Sequence, residues 1–471
     1  MLMLERMIWL EPMMKAKHAY TQRILLTGAL AAWIFLLPCM SQGEDQTWVL
    51  DFTDDFEREE VGGDWLSTDA RIVDGRMLIG LHGPASAVLN RTYPADVRIE
   101  FEAEAYEGKP PCDLSVSLAT ERLRDFSWNY LLAFGGANNT VNKLTGGMRL
   151  RGMRDEDPEM LIEPGRVYHM VAAKEGKRLT LEVDGVLLLE GHDEEIMGGP
   201  GFEHVALVTW NGMYVDRFRA YRRSTPHPDT PRYVTELKGL ILSVDGRGRM
   251  IPPEGATEGV LTAVEAYNRG DFTEAENRFK ALDGEVQAAG LAYVYGHLNY
   301  QETRDDFPLL FQLFDQLAEE HPGDERLADY AWAASKLALV RFFPRDWLAC
   351  SLLVNLGPDN NPFYDKAMLY RARFLRASAQ EGGQQSELEK ARKMFEALKE
   401  KAPNNVALRQ LTGERIPWSE WLIDTHPEAP KWAALLREMY SRQLAIMEWW
   451  FSERQMADGQ LGGGWGDDVE I

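Results

Sequence analysis

The stretch that most limits what this chain can fold into is residues 165–221, which opens GRVYHMVAAKEGKRLTLEVDGVLLLEGHD. Within it Leu179, Leu181 and Val183 alternate with Arg178, Thr180, Glu182 and Asp184. Period two is the pattern of a strand with one buried face. Asp184-Gly185 then separates this run from Val186, Leu187, Leu188 and Leu189, and Asp-Gly accepts the positive φ of a two-residue hairpin turn. The stretch closes with HVALVTWNGMYVDRFRAY, two further strand patterns. A half-buried hairpin of this length belongs in a sheet packed on a second sheet.

The residues before it agree. From position 48 onward short strand patterns alternate with Gly, Asn, Asp and Pro, the signal of a sandwich or barrel. Ile99, Phe101, Ala103 and Ala105 form one face of a strand and Arg98, Glu100, Glu102 and Glu104 the other; Leu114, Val116 and Leu118 point inward with Ser115 and Ser117 outward. The entry WVLDFTDDFEREEVGGDW, the segment ARIVDGRMLIG, the hairpin and the closing strands together resemble concanavalin-like jelly rolls. The nearest resemblance is to the 3-keto-disaccharide hydrolase-type, LamG-like domains of exported bacterial proteins. It implies a jelly-roll β-sandwich over residues 46–222 and carbohydrate as the ligand; no catalytic motif of that family is matched residue by residue.

At 471 residues the chain exceeds what one hydrophobic core usually serves, so several domains are expected. The formal net charge of −23 leaves no basic face for phosphates, which excludes nucleic acid as a partner. Cys39, Cys112 and Cys350 lie far apart, without a CxxC pair or Cys/His cluster, and the last two read as buried free thiols. Lys15, Lys17 and Arg23 precede the apolar run ILLTGALAAWIFLL, then Pro38 and small residues. This is the form of a secretory signal peptide over residues 1–43, with an uncleaved membrane anchor as the alternative. The body of the protein is therefore expected outside the cytoplasm.

Residues 223–256 begin with a Pro-rich linker, RRSTPHPDTPRY, and continue as an adaptor. Over residues 257–411 the period becomes helical. Ala263, Tyr267, Gly270, Phe272, Ala275, Phe279 and Leu282 stand where a tetratricopeptide repeat places its packing residues, and Ala391, Phe395, Leu398 and Pro403 form a second match, while residues 292–321 and 327–340 between them fit the repeat only loosely. Residues 417–471 contain KWAALLREMYSRQLAIMEWWFSERQ and the Gly-rich, acidic ADGQLGGGWGDDVEI. This end resembles the entry to the barrel of six-hairpin glycosidases, which implies a glycosidase-type hydrolase or polysaccharide lyase whose barrel is largely missing from this chain.

The fold expected is therefore multidomain, β then α: an antiparallel β-sandwich followed by an α-helical repeat domain. The function expected is that of an exported carbohydrate-binding multidomain protein, the N-terminal portion of a polysaccharide-processing enzyme, a glycoside hydrolase or lyase, or, alternatively, a non-catalytic cell-envelope scaffold that binds a protein partner through its tetratricopeptide-like helices. Asp467 and Asp468 are the candidate catalytic carboxylates. Trp128 and Tyr130, Arg149 and Arg151, and Trp210 with Asn211 are the candidate carbohydrate-binding residues, since sugars stack on rings and bond to planar polar groups. Asp54, Asp55 and Asp216 are the oxygens available to a structural calcium ion joining the first strand to the last. The histidines form no HExxH or HxxxH pattern.

Overall fold

The period-two hairpin forms as its residues dictate. Strands Arg178–Val183 and Val186–Asp193 pair antiparallel, with Val183 opposite Val186. Asp184 and Gly185 carry φ of 51° and 77°, the two left-handed positions that the tight turn requires. The computed structural model describes residues 47–67, 69–121, 129–151, 153–155, 158–301, 305–338, 345–382, 385–416 and 426–453. The expected signal segment lies outside them. Among the described residues, no helix is long and apolar enough to cross a membrane.

Two antiparallel sheets face one another. In the nine-stranded sheet, Met213–Arg223 and Val97–Ala105 lie side by side at the centre, and Val97–Ala105 is followed outward by Val167–Glu175 and the hairpin. Met213–Arg223 also holds Arg76–Ile79 at one end and Trp48–Asp54 at the other. The seven-stranded sheet centres on Tyr130–Gly135, Leu114–Thr120 and His204–Thr209. Alternation holds along Val97–Ala105, where Ile99, Phe101 and Ala103 are at most 1% exposed. Each large apolar side chain buried this way contributes about 1.5–3 kcal/mol.

Ser115 and Ser117 depart from expectation. They point away from the sandwich core, yet both are fully buried, beside an apolar patch of Val88, Leu131, Ala133, Ala206 and Val208. The second sheet is therefore covered on both faces, which is why Tyr130–Gly135 reads as a continuous apolar run rather than an alternating one.

The helical part begins at Glu258–Asn268 and Phe272–Lys280, where Ala263, Tyr267, Ala275 and Phe279 are buried as the pattern predicted. Gly270, at φ 79°, turns the chain between them. Ala391, Phe395 and Leu398 are buried on Gln385–Lys401 in the same way. The helical and β parts share a core: Trp347, Leu348 and Ala349 pack among the sandwich residues, with Trp347 edge-on to Phe202 at 6.5 Å. The Pro-rich segment is fastened down. Asp96 accepts from the Gly176 and His227 amides and from the Thr230 hydroxyl at 2.7–2.8 Å, and Arg232 pairs with the buried Asp329. Cys112 and Cys350 are free and buried.

Candidate functional site

A cavity of about 350 Å³ opens where the two parts of the chain meet. Its β side is the loop after strand Val186–Asp193, carrying Glu195 and Met197, with Tyr233 beside it. Its α side is Phe311, Trp332 and Lys336 from helices Asp306–Glu320 and Glu325–Ala338.

The loop is held by buried polar groups. Asp193 is fully buried and accepts from the Tyr130 hydroxyl at 2.8 Å and from the Met148, Arg149 and Glu195 amides at 2.9–3.2 Å. The Tyr130 oxygen in turn accepts from the Met197 amide at 2.8 Å. Burial, and then the Asp193 charge, push the Tyr130 phenol well above its usual range, so it stays a donor. Lys174, 1% exposed, donates to the Met197 carbonyl at 2.8 Å, and burial lowers its amine to about 7 against the opposing pull of Asp96. A loop whose backbone is bonded at so many points is fixed before any ligand arrives.

Across the cavity, Trp332, Ser335 and Lys336 recur at helical spacing and share one face. Lys336, 4% exposed, reaches the Glu195 carboxylate at 2.9 Å while its ammonium lies 5.3 Å from the Trp332 ring centroid. The other Glu195 oxygen accepts from Arg149 Nε at 2.8 Å. Burial, then the charges of Asp96 and Asp193, raise the Tyr233 phenol, so it too is neutral. The wall thus offers three aromatic rings, an ion pair and a hydroxyl. Both Glu195 oxygens are held by cations, which fixes the orientation of that carboxylate at the cavity wall.

The residues picked out from sequence are scattered. Arg149 reaches this site, through Glu195. Tyr130 does not serve as a sugar platform: its ring is fully buried and its hydroxyl is committed to Asp193. Arg151 pairs through its backbone with His192. Trp210 is 37% exposed after strand His204–Thr209, and Asn211 gives its amide to the Pro110 carbonyl at 3.0 Å. Trp128, Asp467 and Asp468 lie outside the described residues.

The three aspartates proposed for calcium do not form a cation site. Asp54 is bound at both oxygens by Arg58, at 2.6 and 2.7 Å, and also accepts from the Trp65 indole and the Phe56 amide. Burial alone would raise its carboxyl, but the Arg58 and Trp65 bonds outweigh burial and lower it. Asp216 accepts from the Arg217 amide at 2.7 Å, and Asp55 is exposed. Among the described residues, no group of three His, Cys, Asp or Glu side chains could hold a metal ion.

Trp332, Lys336, Glu195 and Tyr233 were not anticipated. A usable signal was present in DYAWAASKLA, where Asp329 and Lys336 fall on the otherwise apolar, buried face of a helix and therefore need partners.

The sequence matches no protein-family description and no curated protein. Solved structures similar to parts of it include a protein of unknown function with a galectin-like fold from Bacillus subtilis, at 12% identity over 37% of this chain and 96% of that one, TM-score 0.31. A laminarinase catalytic domain from Thermotoga petrophila matches at 12% identity over 38% and 99%, TM-score 0.27. The carbohydrate-binding module CBM66 from Bacillus subtilis matches at 16% identity over 37% and 92%, TM-score 0.22.

Proposed function

We propose that this is an exported carbohydrate-binding protein and that the cavity between sandwich and helices is its sugar site. The observation that carries the reading is the convergence of Trp332, Phe311 and Tyr233 with the Lys336–Glu195 pair and Ser335 around about 350 Å³. That volume lies near the lower end for small-molecule sites, roughly 300–1,000 Å³, and suits one or two sugar rings. Aromatic walls take the C–H faces of a pyranose, and the polar groups take its hydroxyls. Each of these charged groups has an ion-pair partner, Lys336 and Arg149 on Glu195 and Arg232 on Asp329, so the ligand expected is a neutral sugar. Export rests on the basic and apolar N-terminal run. A protein partner for the helical part is the second reading, favoured by the exposed apolar helix Lys431–Glu453.

Titration calorimetry of the full chain with neutral mono- and disaccharides tests the assignment. Trp332→Ala and Lys336→Met are each expected to weaken binding at least about tenfold, as removal of a buried anchor does. Trp210→Ala should leave it unchanged. Binding lost with Trp210→Ala and kept with Trp332→Ala would move the site to the end of the sandwich and refute the reading.

A further inference from the structure

The wall of the cavity is mostly apolar. Met148 and Ile196 line it from the sandwich, Val234 from the segment that joins the two parts, and Phe311, Leu352 and Leu356 from the helices. Leu352 lies on helix Arg345–Asn355 and Leu356 follows its last residue. Against these stand few polar groups that are free to meet a ligand. Each charged side chain of the wall already has an ion partner: Glu194 meets Lys177 at 2.9 Å, Glu195 meets Lys336 and Arg149, and Arg232 meets Asp329.

Two neutral side chains remain, and their roles are opposite. The Ser335 hydroxyl spends its one hydrogen on the Trp332 carbonyl at 2.6 Å, so toward the cavity it can only accept. The Tyr233 hydroxyl stands beside Gly198, another residue of the wall, and makes no hydrogen bond among the described residues. Burial raises its phenol, so it keeps its hydrogen and can donate.

A plain hexose suits this wall badly. It carries a hydroxyl on almost every ring carbon, and each one turned against Val234, Leu352 or Leu356 would lose its water without gaining a partner. A better ligand brings one acceptor, one donor and a small apolar group together. A secondary amide that ends in a methyl does so: its carbonyl accepts from Tyr233, its N–H donates to Ser335, and its methyl replaces water against the leucines. Resting on the sugar reading of this cavity, we propose that its ligand is an N-acetylated amino sugar and that Tyr233, Ser335, Leu352 and Leu356 read the acetamido group. That group is uncharged, as a wall of paired ions requires. The free amine of an unacetylated amino sugar, or the carboxylate of a sugar acid, would need an unpaired counter-charge there.

Titration calorimetry of the full chain with N-acetylglucosamine and N-acetylgalactosamine, beside glucose and galactose, tests this. At least one N-acetylated sugar is expected to bind about tenfold tighter than its parent hexose, the worth of a buried methyl and one further hydrogen bond. Leu356→Asn and, separately, Ser335→Ala should each cut that ratio to about threefold or less with the circular dichroism unchanged. Parent hexoses that bind as tightly as their N-acetylated forms would overturn this inference and leave the cavity a sugar site. A ratio that neither substitution lowers would overturn it too, and so would 6-deoxyglucose gaining as much over glucose, since a methyl alone would then be the feature read. If no neutral sugar binds the folded chain, the sugar reading itself falls and takes this inference with it.

Discussion

Lys174 should make the protein more stable as the solution becomes alkaline. Its amine lies inside the sandwich at 1% exposure, with the Met197 carbonyl 2.8 Å away, and burial lowers it from 10.5 to about 7. Between those values the unfolded chain holds a proton that the folded chain has released, so unfolding takes up a proton and stability rises with pH. Below about 7 both states are protonated and the full cost of the buried charge is felt. By linkage that cost is about 4 kcal/mol at pH 7 and about 1.5 kcal/mol at pH 9.5.

Lys174→Met keeps the length of the side chain and removes the titration. It also leaves the Met197 carbonyl without its donor, which costs about 1–3 kcal/mol at any pH. The variant should therefore be more stable than the wild type near pH 7, by about 1–3 kcal/mol, and between about 0.5 kcal/mol more and about 1.5 kcal/mol less stable near pH 9.5. Whatever the lost bond costs, the difference between the two proteins should shift by about 3 kcal/mol across that interval. Urea unfolding followed by tryptophan fluorescence, run on both proteins at both pH values, measures it. Stability curves that run parallel from pH 7 to 9.5 would show that burial does not perturb this amine, and the reasoning would fail.

Asp193→Ala removes the acceptor for the Tyr130 hydroxyl and for three amides of the cavity loop. A loss of about 3–5 kcal/mol in urea unfolding is expected, together with loss of sugar binding at concentrations where the protein remains folded. His297 lies against Phe272, with centroids 4.1 Å apart, and burial, helped by Lys366, lowers its imidazole from 6.5 to about 4. Between those values the unfolded chain binds the extra proton, so stability should fall by about 2.5 kcal/mol as pH drops from 6.5 to 4. His297→Gln should remove that slope, checked by unfolding at both ends of the range.

The parts of the fold that were legible are those fixed by one short stretch at a time. Asp184-Gly185 states its own turn, and Ile99, Phe101 and Ala103 state their buried face by alternation alone. Local pattern fails where a residue has two faces to satisfy. Ser115 and Ser117 alternate correctly, but nothing nearby in sequence says that the outer face of their sheet is covered as well. Tyr130 shows the same limit in chemistry. A tyrosine on a strand reads equally as a ring for a sugar or as a core phenol, and Asp193, 63 residues away, decides the matter.

The candidate site was illegible for a stronger reason. Glu195 follows a strand of the sandwich and Lys336 lies on a helix 141 residues later, so neither has a partner within reach of any local pattern. Each is nevertheless conspicuous by cost. A lysine at 4% exposure needs a polar partner, and here that partner is an anion from the other half of the molecule. The pair therefore ties sandwich to helices, and the cavity it borders exists only while they are joined. A ligand seated against Trp332 and Glu195 at once would add its binding energy to that junction. In a protein built this way the sandwich supplies the polar-anchored loop and the helices supply the aromatic wall of one cavity.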